Sequence, residues 1–522
     1  MTTIGLIDRI DARAKERPGA PAMIESSGRS ISRARLAERV RALASGLRHA
    51  GLEPGDRVLF AVRPSIDAIA MIIAIVEAGG VVVPVSVGSG DAVFESQMRL
   101  IEPRWVVAES LLLAAAGSAV VRRVVRWRGG ALPSLAPVLD SRFLRVGRQY
   151  PWGPRAKSID TLEAEDGGPN AFLDTGVSNV ESPALIVFTS GTTADPKAVV
   201  HTRGSLSATL DVVARQLAIG EEDVLYSRDL HLVLPALFAG ARVVIPRYSK
   251  FSPRCMLRDL ERFGVTHTFM VTGDCQALVA HLAAEHRTLP AALRQLLIGA
   301  APVRRVFLER LASRLGPGTD AWCVYGMTEM LPVASISLGE KLAYDGDGDI
   351  AGRTVSGVRA RIAQTGELML SGLHLFAGYL GGPPVTEHAT GDLARLDGDR
   401  IVLLGRTKDM IIRREHNIYP ELHEPVIERI PGVRRCAMVG VYDESLADER
   451  VVLAVEPEPT AASDELLARL PAALREGPTR IDDAAQPDVI MLLPLPLSGR
   501  SHKVDKEAVR SVARQRLRCA SR

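Results

Sequence analysis

The chain has 522 residues, of which 47% are hydrophobic and 24% are charged, and its formal net charge is +3. This length exceeds one ordinary hydrophobic core, so two or more domains are expected. So small a net charge argues against a broad nucleic-acid-binding surface, and no nucleic-acid partner is expected. The five cysteines are widely scattered and lack a C-x-x-C spacing, which is typical of a protein that works in a reducing cytoplasm.

The first part of the chain alternates between helical and strand patterns. Residues 34–52 and 66–77 show helical patterns, and residues 55–60 form a turn into a strand. This alternation predicts βα units and a mostly parallel sheet. Residues 68–87 are the most apolar stretch, but a glutamate, two glycines and a proline interrupt it. We therefore predict a buried helix, a turn and a strand there, and no membrane span.

The most informative segment follows an apolar strand at residues 184–188. Its hydroxyl groups and one glycine let side-chain O–H and backbone N–H groups converge on anionic oxygens, and Lys197 adds a compact positive charge at its end. The order of residues differs from the G-x-x-x-x-G-K-[ST] of P-loop proteins. The segment predicts a polyphosphate site formed by six residues: Thr189, Ser190, Gly191, Thr192, Thr193 and Lys197.

The pattern Thr-Ser-Gly-Thr-Thr-x-x-Pro-Lys resembles the signature of the acyl-adenylate-forming superfamily of AMP-dependent synthetases and ligases. The resemblance implies that this loop binds the β- and γ-phosphates of ATP. It also implies an α/β fold, with a large N-terminal domain of mostly parallel sheets and flanking helices and a small, mobile α+β C-terminal domain. Ala194 and Ala198 depart from the family pattern, which usually has glycine at both positions.

A charged break at residues 406–409 separates two strand patterns and predicts a domain boundary. We expect a large adenylation domain at residues 1–405, a hinge at 406–409 and a small domain at 410–522. Lys408 is the predicted hinge residue.

Two further segments carry the adenine and metal predictions. Small residues after the apolar run 296–298 let a flat ring lie against the backbone, and in the family this segment contacts adenine; here it is Gly299, Ala300, Ala301 and Pro302. The segment Tyr325-Gly326-Met327-Thr328-Glu329 matches the family's Y-G-x-T-E. The resemblance implies that Tyr325, Gly326 and Met327 surround adenine, that Thr328 meets the α-phosphate and that Glu329 binds Mg²⁺.

The remaining predicted site residues lie toward the C-terminus. The Thr390-Gly391-Asp392 segment resembles the family's T-G-D, whose aspartate binds the ribose hydroxyls, and Arg406 is expected near the ribose or a phosphate. Lys503 aligns with the lysine that bridges the carboxylate and the α-phosphate during adenylation. Lys506 competes with Lys503 for this role.

These observations predict an ATP- and Mg²⁺-dependent ligase that converts a small carboxylic acid into an acyl-adenylate, releases pyrophosphate and passes the acyl group on. The residues before Asn417, Arg413-Arg414-Glu415-His416, replace the glycine-rich step of many CoA ligases, so CoA is a doubtful acceptor. One alternative acceptor is the 3-hydroxyl group of the acid itself, as in olefin-pathway β-lactone synthetases. Other alternative acceptors are a carrier protein or pathway enzyme, or another nucleophile, as in diazo-forming ligases. A pseudo-enzyme that only binds nucleotide is a further alternative. The acid itself and the oligomeric state stay open.

Overall fold

A computed structural model describes residues 5–85, 91–127, 134–150, 154–164, 179–188, 197–246, 251–413, 416–443, 448–498 and 503–520. The chain forms two compact units. The first contains Met1–Thr268, Met327–Leu331 and Gly372–Thr386, and the second contains Phe269–Gly326, Pro332–Ser371 and Glu387–Arg522. In the ranges given above, no helix is long and apolar enough to cross a membrane.

Polar residues define where several helices begin. Ser65 Oγ accepts a hydrogen bond from Ala68 N at 3.1 Å, and Ser337 forms a reciprocal capping box with Glu340. The α-helices are α1 (Leu6–Glu16), α2 (Arg33–His49), α3 (Ile66–Glu77), α4 (Asp91–Ile101), α5 (Ser110–Gly117), α6 (Ala119–Trp127), α7 (Ile159–Ala164), α8 (Arg203–Leu217), α9 (Leu230–Phe238), α10 (Pro253–Phe263), α11 (Thr272–Ala284), α12 (Arg305–Ala312), α13 (Leu338–Ala343), α14 (Pro420–Ile427), α15 (Ser463–Arg475) and α16 (Lys506–Ala520).

The strands vary in length from two to eleven residues. They are β1 (Pro21–Glu25), β2 (Ser30–Ser32), β3 (Arg57–Ala61), β4 (Val81–Pro84), β5 (Trp105–Glu109), β6 (Arg142–Val146), β7 (Lys157–Ser158), β8 (Pro183–Phe188), β9 (Ala198–Thr202), β10 (Val224–Tyr226), β11 (Arg242–Ile245), β12 (His267–Val271), β13 (Gln295–Gly299), β14 (Asp320–Met327), β15 (Met330–Ser337), β16 (Asp349–Thr354), β17 (Arg359–Ile362), β18 (Glu367–Ser371), β19 (Gly378–Tyr379), β20 (His388–Asp397), β21 (Arg400–Arg406), β22 (Ile411–Arg413), β23 (His416–Ile418), β24 (Val433–Asp443), β25 (Asp448–Pro457), β26 (Val489–Leu492), β27 (Leu497–Ser498) and β28 (Lys503–Val504).

The first unit contains an eight-stranded sheet in the order β19-β9-β8-β4-β3-β5-β6-β7. The pairs from β8 through β4, β3, β5 and β6 to β7 are parallel, whereas β9 runs antiparallel to both β8 and β19. Nearly every residue of α3 is buried, as expected of a helix that is apolar on all sides. The predicted α/β class is confirmed.

The second unit contains the parallel pair β13 and β14 and continues into antiparallel strands. In these strands β21 lies between β16 and β20, and β18 lies between β20 and β17. The register places Asp392 of β20 opposite Arg406 of β21. Two residues that lie 14 positions apart in the sequence are therefore neighbours across a hairpin.

The C-terminal part of the second unit is built on the sheet β24-β25-β26. Alternate residues of β24 enter two different cores, because successive side chains of a strand point to opposite faces. Met438 packs in a core with residues of α14 and α15, and Val439 packs with residues of α16. This sheet therefore has helices on both faces.

Candidate active site

The predicted phosphate loop lies between two paired strands. Strands β8 and β9 run antiparallel with Phe188 opposite Ala198, so the chain leaves and re-enters the sheet at adjacent positions. Lys197 is exposed directly before β9. The other five predicted phosphate-binding residues fall outside the described residues: Thr189, Ser190, Gly191, Thr192 and Thr193.

Lys197 contacts an aromatic ring from a distant part of the sequence. Its Nζ atom lies 5.1 Å from the ring centroid of Tyr379, a distance typical of a cation–π contact. Tyr379 lies opposite Val199 because β19 pairs with β9. Since Lys197 precedes Val199 by two residues, Lys197 and Tyr379 lie on the same face of the sheet.

Tyr379 also contacts the predicted metal ligand. Its hydroxyl group donates a hydrogen bond to Glu329 Oε1 at 2.8 Å. Burial, together with this hydrogen bond, raises the pKa of the Tyr379 phenol, so the group stays protonated and acts as a donor. The ring of Phe376 packs edge-on against Tyr379, and Phe376 N donates to the backbone oxygen of Glu329 at 2.8 Å. Both the backbone and the side chain of Glu329 are therefore held.

The neighbouring Thr328 is held by a buried histidine. His201 Nε2 lies 2.9 Å from the carbonyl oxygen of Thr328. A carbonyl oxygen only accepts, so this nitrogen carries the proton. Burial lowers the pKa of His201, which is therefore neutral at neutral pH. The structure thus brings Lys197, Thr328 and Glu329 together through two residues for which the sequence analysis assigned no role.

Glu329 fits the way in which proteins usually hold Mg²⁺ beside a nucleotide. Magnesium bound to nucleotide phosphates commonly uses one or two protein carboxylates, and the phosphates and water complete its coordination. Within the described part of the chain, no group of three or more His, Cys, Asp or Glu residues could form a metal cage. Glu329 accepts the hydrogen bond of Tyr379 through Oε1, so its other oxygen suits a coordination that is shared with phosphates and water.

In the second unit, Asp392 is buried between two predicted site residues. Its Oδ2 accepts a hydrogen bond from the Tyr325 hydroxyl at 2.6 Å, and its Oδ1 lies 2.8 Å from Arg406 Nε. Burial raises the pKa of Tyr325, and the negative charge of Asp392 raises it further. Two carboxylate oxygens offer about four lone-pair directions, so these contacts leave room for further donors.

The segment predicted to contact adenine turns sharply at the end of β13. Thr272 Oγ1 lies 3.2 Å from the carbonyl oxygen of Gly299 and 3.1 Å from that of Ala301. A side chain at Gly299 would place its Cβ only 2.8 Å from the carbonyl oxygen of Val324, so glycine is required there. Ala300 has φ of +69°, an unfavourable region for alanine. Pro302 follows this turn, and Gly326 and Met327 end β14.

Lys503 lies among the charged residues of the second unit. Its ammonium group interacts electrostatically with Arg406, Asp392, Glu421 and Lys408. Lys503 is exposed, but loss of water around its ammonium group lowers its pKa, and the positive charge of Arg406 lowers the pKa further. The structure therefore brings Lys503 into the group that contains Asp392 and Arg406.

Lys506, the competing lysine, has a different environment. Its Nζ lies 2.8 Å from Glu424 Oε1. Glu424 also accepts from Met438 N at 2.9 Å and lies 3.4 Å from an Arg304 nitrogen. Burial alone would raise the pKa of Glu424, but Lys506 and Arg304 outweigh it and the pKa is lowered. Lys506 is therefore part of a buried ionic cluster.

The predicted hinge residue, Lys408, lies in the short 3-10 turn Thr407–Asp409 between β21 and β22. Its side chain is exposed. Met410 N donates to Arg406 O at 3.0 Å, which closes the turn around it.

Of the charged residues before Asn417, Arg413 ends β22 and His416 begins β23. Arg413, which lies opposite His416, donates a hydrogen bond to the Gln486 carbonyl at 2.8 Å and forms an ion pair with Asp488 at 2.5 Å. The guanidinium group of Arg413 is therefore bound to residues in the C-terminal part of the second unit. Arg414 and Glu415 lie outside the described residues, and His416 is exposed.

Comparison with known proteins relates the chain to one family of enzymes. The sequence profile of the family described as "AMP-binding enzyme" matches residues 10–380. Feruloyl-CoA synthase from Amycolatopsis sp. is 31% identical over 486 residues, which cover 88% of this chain and 90% of that protein. Olefin beta-lactone synthetase from Xanthomonas campestris pv. campestris is 28% identical over 536 residues, which cover 91% of each.

Solved structures show the same fold. ATP-bound MatB from Rhodopseudomonas palustris has a TM-score of 0.78 and 24% identity, over 98% of this chain and 99% of that one. Amide bond synthetase McbA from Marinactinospora thermotolerans has a TM-score of 0.77 and 24% identity, over 97% and 99%.

The chain belongs to the AMP-binding enzyme family. It is an ATP-dependent, adenylate-forming ligase that activates a carboxylic acid as an acyl-adenylate, releases pyrophosphate and transfers the acyl group. The predicted class of enzyme is confirmed.

Proposed function

We propose that Asp392, Arg406 and Lys503 form the centre at which the acid is adenylated. The observation that carries this proposal is the shared electrostatic environment of Lys503, Asp392 and Arg406, from which Lys506 is drawn away by Glu424. In adenylation, a carboxylate oxygen attacks the α-phosphorus while the bond to the pyrophosphate oxygen breaks. Two anions must approach each other in this step. A lysine ammonium placed between them stabilises the negative charge of the transition state.

In this proposal, Asp392 binds the ribose hydroxyls of ATP. Its carboxylate is already oriented by Tyr325 and Arg406, so it needs little rearrangement when the ribose arrives. Arg406 lies at the edge of the same carboxylate and interacts with the ribose or with a phosphate. The ring of Tyr325 and the turn formed by Gly299, Ala300, Ala301 and Pro302 contact adenine, together with Gly326 and Met327.

We assign the phosphate groups to Lys197, Thr328, Glu329 and the predicted phosphate loop. Lys197 and the five residues Thr189, Ser190, Gly191, Thr192 and Thr193 bind the β- and γ-phosphates, and Thr328 contacts the α-phosphate. Glu329 holds Mg²⁺, which neutralises phosphate charge when it is bound. His201 keeps Thr328 in place through its carbonyl oxygen.

Two of the possible acceptors of the acyl group are each supported by a relative. One relative is a feruloyl-CoA synthase, which favours CoA, and another is an olefin beta-lactone synthetase, which favours the acid's own 3-hydroxyl group. Arg413 is bound to Asp488 and Gln486, so its bulk gives no argument against CoA. The hypothesis that charged side chains hinder the binding of CoA therefore depends on Arg414, Glu415 and His416 alone.

One experiment separates these candidates. The enzyme is incubated with ATP, Mg²⁺ and pairs of acids that differ only in a 3-hydroxyl group, each with and without CoA, and products are identified by mass spectrometry. A panel of acids in an ATP–pyrophosphate exchange assay first defines which acids are activated. A rapidly formed CoA thioester selects CoA as the acceptor. Loss of water from the 3-hydroxy acid alone, whether or not CoA is present, selects lactone formation. Absence of acid-dependent exchange for every acid would contradict the proposed site.

We also propose that the protein works in the cytoplasm. The described cysteines Cys255, Cys275, Cys323 and Cys436 are free thiols, as expected in a reducing compartment.

A further inference from the structure

Tyr379 contacts two residues of opposite charge at the same time. Its hydroxyl group donates to Glu329 Oε1 at 2.8 Å, and its ring lies 5.1 Å from Lys197 Nζ. Glu329 and Lys197 lie 132 positions apart in the sequence. Tyr379 is therefore the structural link between the carboxylate to which we assign Mg²⁺ and the lysine to which we assign phosphate.

The position of Tyr379 is fixed from several directions. Its strand, β19, pairs with β9, and the flanking Ala377 and Leu380 donate backbone hydrogen bonds to Val200 O and Ala198 O at 2.8 and 2.9 Å. The ring of Phe376 packs edge-on against it, with centroids 5.0 Å apart. Because the ring is held in place, the phenolic oxygen has a fixed position beside Glu329 Oε1.

A fixed donor restricts how the Glu329 carboxylate can turn. A hydrogen bond to Oε1 restricts rotation about the last bond of the glutamate side chain, because turning the carboxylate plane away from the donor breaks the bond. Oε2 is then presented consistently to a cation. Hydrogen-bond partners of metal-binding carboxylates typically contribute 10- to 100-fold to metal affinity.

We propose that Tyr379 is a positioning residue with two separable roles. Its hydroxyl group orients Glu329 toward the nucleotide-bound Mg²⁺, and its ring places the Lys197 ammonium for the phosphates. This inference rests on the proposed roles of Glu329 and Lys197. It predicts that removing the hydroxyl group affects metal binding alone, whereas removing the ring affects nucleotide binding as well.

The test uses isothermal titration calorimetry with a non-hydrolysable ATP analogue, so that no turnover occurs. The affinity for the analogue is measured without metal, and Mg²⁺ is then titrated into the complex. The proteins compared are the wild type, Tyr379→Phe, Tyr379→Leu and Glu329→Gln. Tyr344→Phe is the matched control, because it removes a hydroxyl group that donates to Asp347 O at 3.0 Å in the second unit. Melting temperatures establish that each variant is folded, and Tyr379→Met replaces Tyr379→Leu if the latter melts early.

Tyr379→Phe should weaken Mg²⁺ binding about 10- to 100-fold and leave metal-free affinity for the analogue unchanged. Tyr379→Leu should weaken both, and Tyr344→Phe should weaken neither. If Glu329→Gln loses Mg²⁺ affinity and Tyr379→Phe does not, the inference is overturned while the role of Glu329 stands. If Glu329→Gln binds Mg²⁺ as the wild type does, the proposed metal ligand is wrong and the inference falls with it. Equal losses of metal-free and Mg²⁺ affinity in Tyr379→Phe would indicate a merely structural role and would also overturn it.

Discussion

Lys506 Nζ lies 2.8 Å from Glu424 Oε1, and the two side chains are only 13% and 3% exposed. Lys503, three residues earlier, instead interacts with Asp392 and Arg406. Two lysines in one short segment are thus directed to different carboxylates. This difference lets structure and catalysis be separated experimentally.

Lys503→Ala should abolish most of the adenylation activity with little effect on folding. Loss of one preorganised charge donor typically costs about 2.7–4 kcal/mol of transition-state stabilisation, or roughly 10²- to 10³-fold in rate. The measurement is acid-dependent pyrophosphate release. If Lys506→Ala is the inactive variant and Lys503→Ala is active, the assignment of the catalytic lysine is wrong.

Lys506→Ala should mainly destabilise the protein. It removes the cation nearest to the buried Glu424, and breaking a buried ion pair costs roughly 3 kcal/mol at the lower end of the usual range. We expect the lower end because Arg304 remains 3.4 Å from Glu424. Urea titration of the wild type, Lys506→Ala and Lys503→Ala measures the free energy of unfolding. Equal stabilities of the two alanine variants would contradict this prediction.

Asp392→Asn should weaken ATP binding about 10- to 100-fold, because hydrogen bonds to a charged group contribute roughly 1.5–3 kcal/mol. Calorimetric titration with ATP in the absence of acid measures this effect. Asp397→Asn is the matched control, since Asp397 lies on the same strand and forms an exposed ion pair with Arg400. A similar loss of affinity in both variants would argue against a specific ribose contact.

Lys408→Pro should affect the two half-reactions unequally. Proline fixes φ at the turn where we propose that the C-terminal part of the chain rotates between adenylation and transfer. Pyrophosphate release and acyl transfer are measured separately in rapid-mixing experiments. Lys408→Ala serves as the control, because it removes the same charge and leaves the backbone free. Losses of the same size in both steps, or no loss in either, would count against a hinge at this position.

The stability of the protein should fall between pH 6.5 and about pH 4 because of His267. Burial lowers the pKa of His267 to about 4. The pKa is low although the carboxylate oxygen Asp223 Oδ1 lies 3.8 Å from His267 Nδ1. Below pH 6.5 the unfolded chain binds a proton that the folded protein does not, so this contribution is present above pH 6.5 and is lost on acidification. A shift of this size corresponds to about 3 kcal/mol. Urea titrations across this range should show a smaller pH dependence for His267→Gln, and identical pH profiles would contradict the assignment.

The sequence predicts local structure and family motifs well. The helix predicted at residues 66–77 has the bounds of α3, because Ser65 caps a segment in which residues 68–76 are all apolar. Contacts within a hairpin, such as Asp392 with Arg406, follow from strands that are close in sequence.

Contacts that depend on distant pairing could not be predicted in this way. The bond between Tyr379 and Glu329 requires β19 to pair with β9, and no local pattern encodes this pairing. The role of His201 depends on which carbonyl group lies beside it. The sequence offered one signal, a histidine within an apolar strand pattern.

The pairing of β19 with β9 has a consequence for the newly made chain. Gly378 pairs with Val200, which was synthesised 178 residues earlier. At the usual elongation rate of about 5–20 residues per second, β9 emerges many seconds before its partner strand exists. During this interval its outer edge is open, and such edges are where chains associate wrongly. The pairing that covers this edge is therefore also the one that brings Tyr379 beside Lys197 during synthesis.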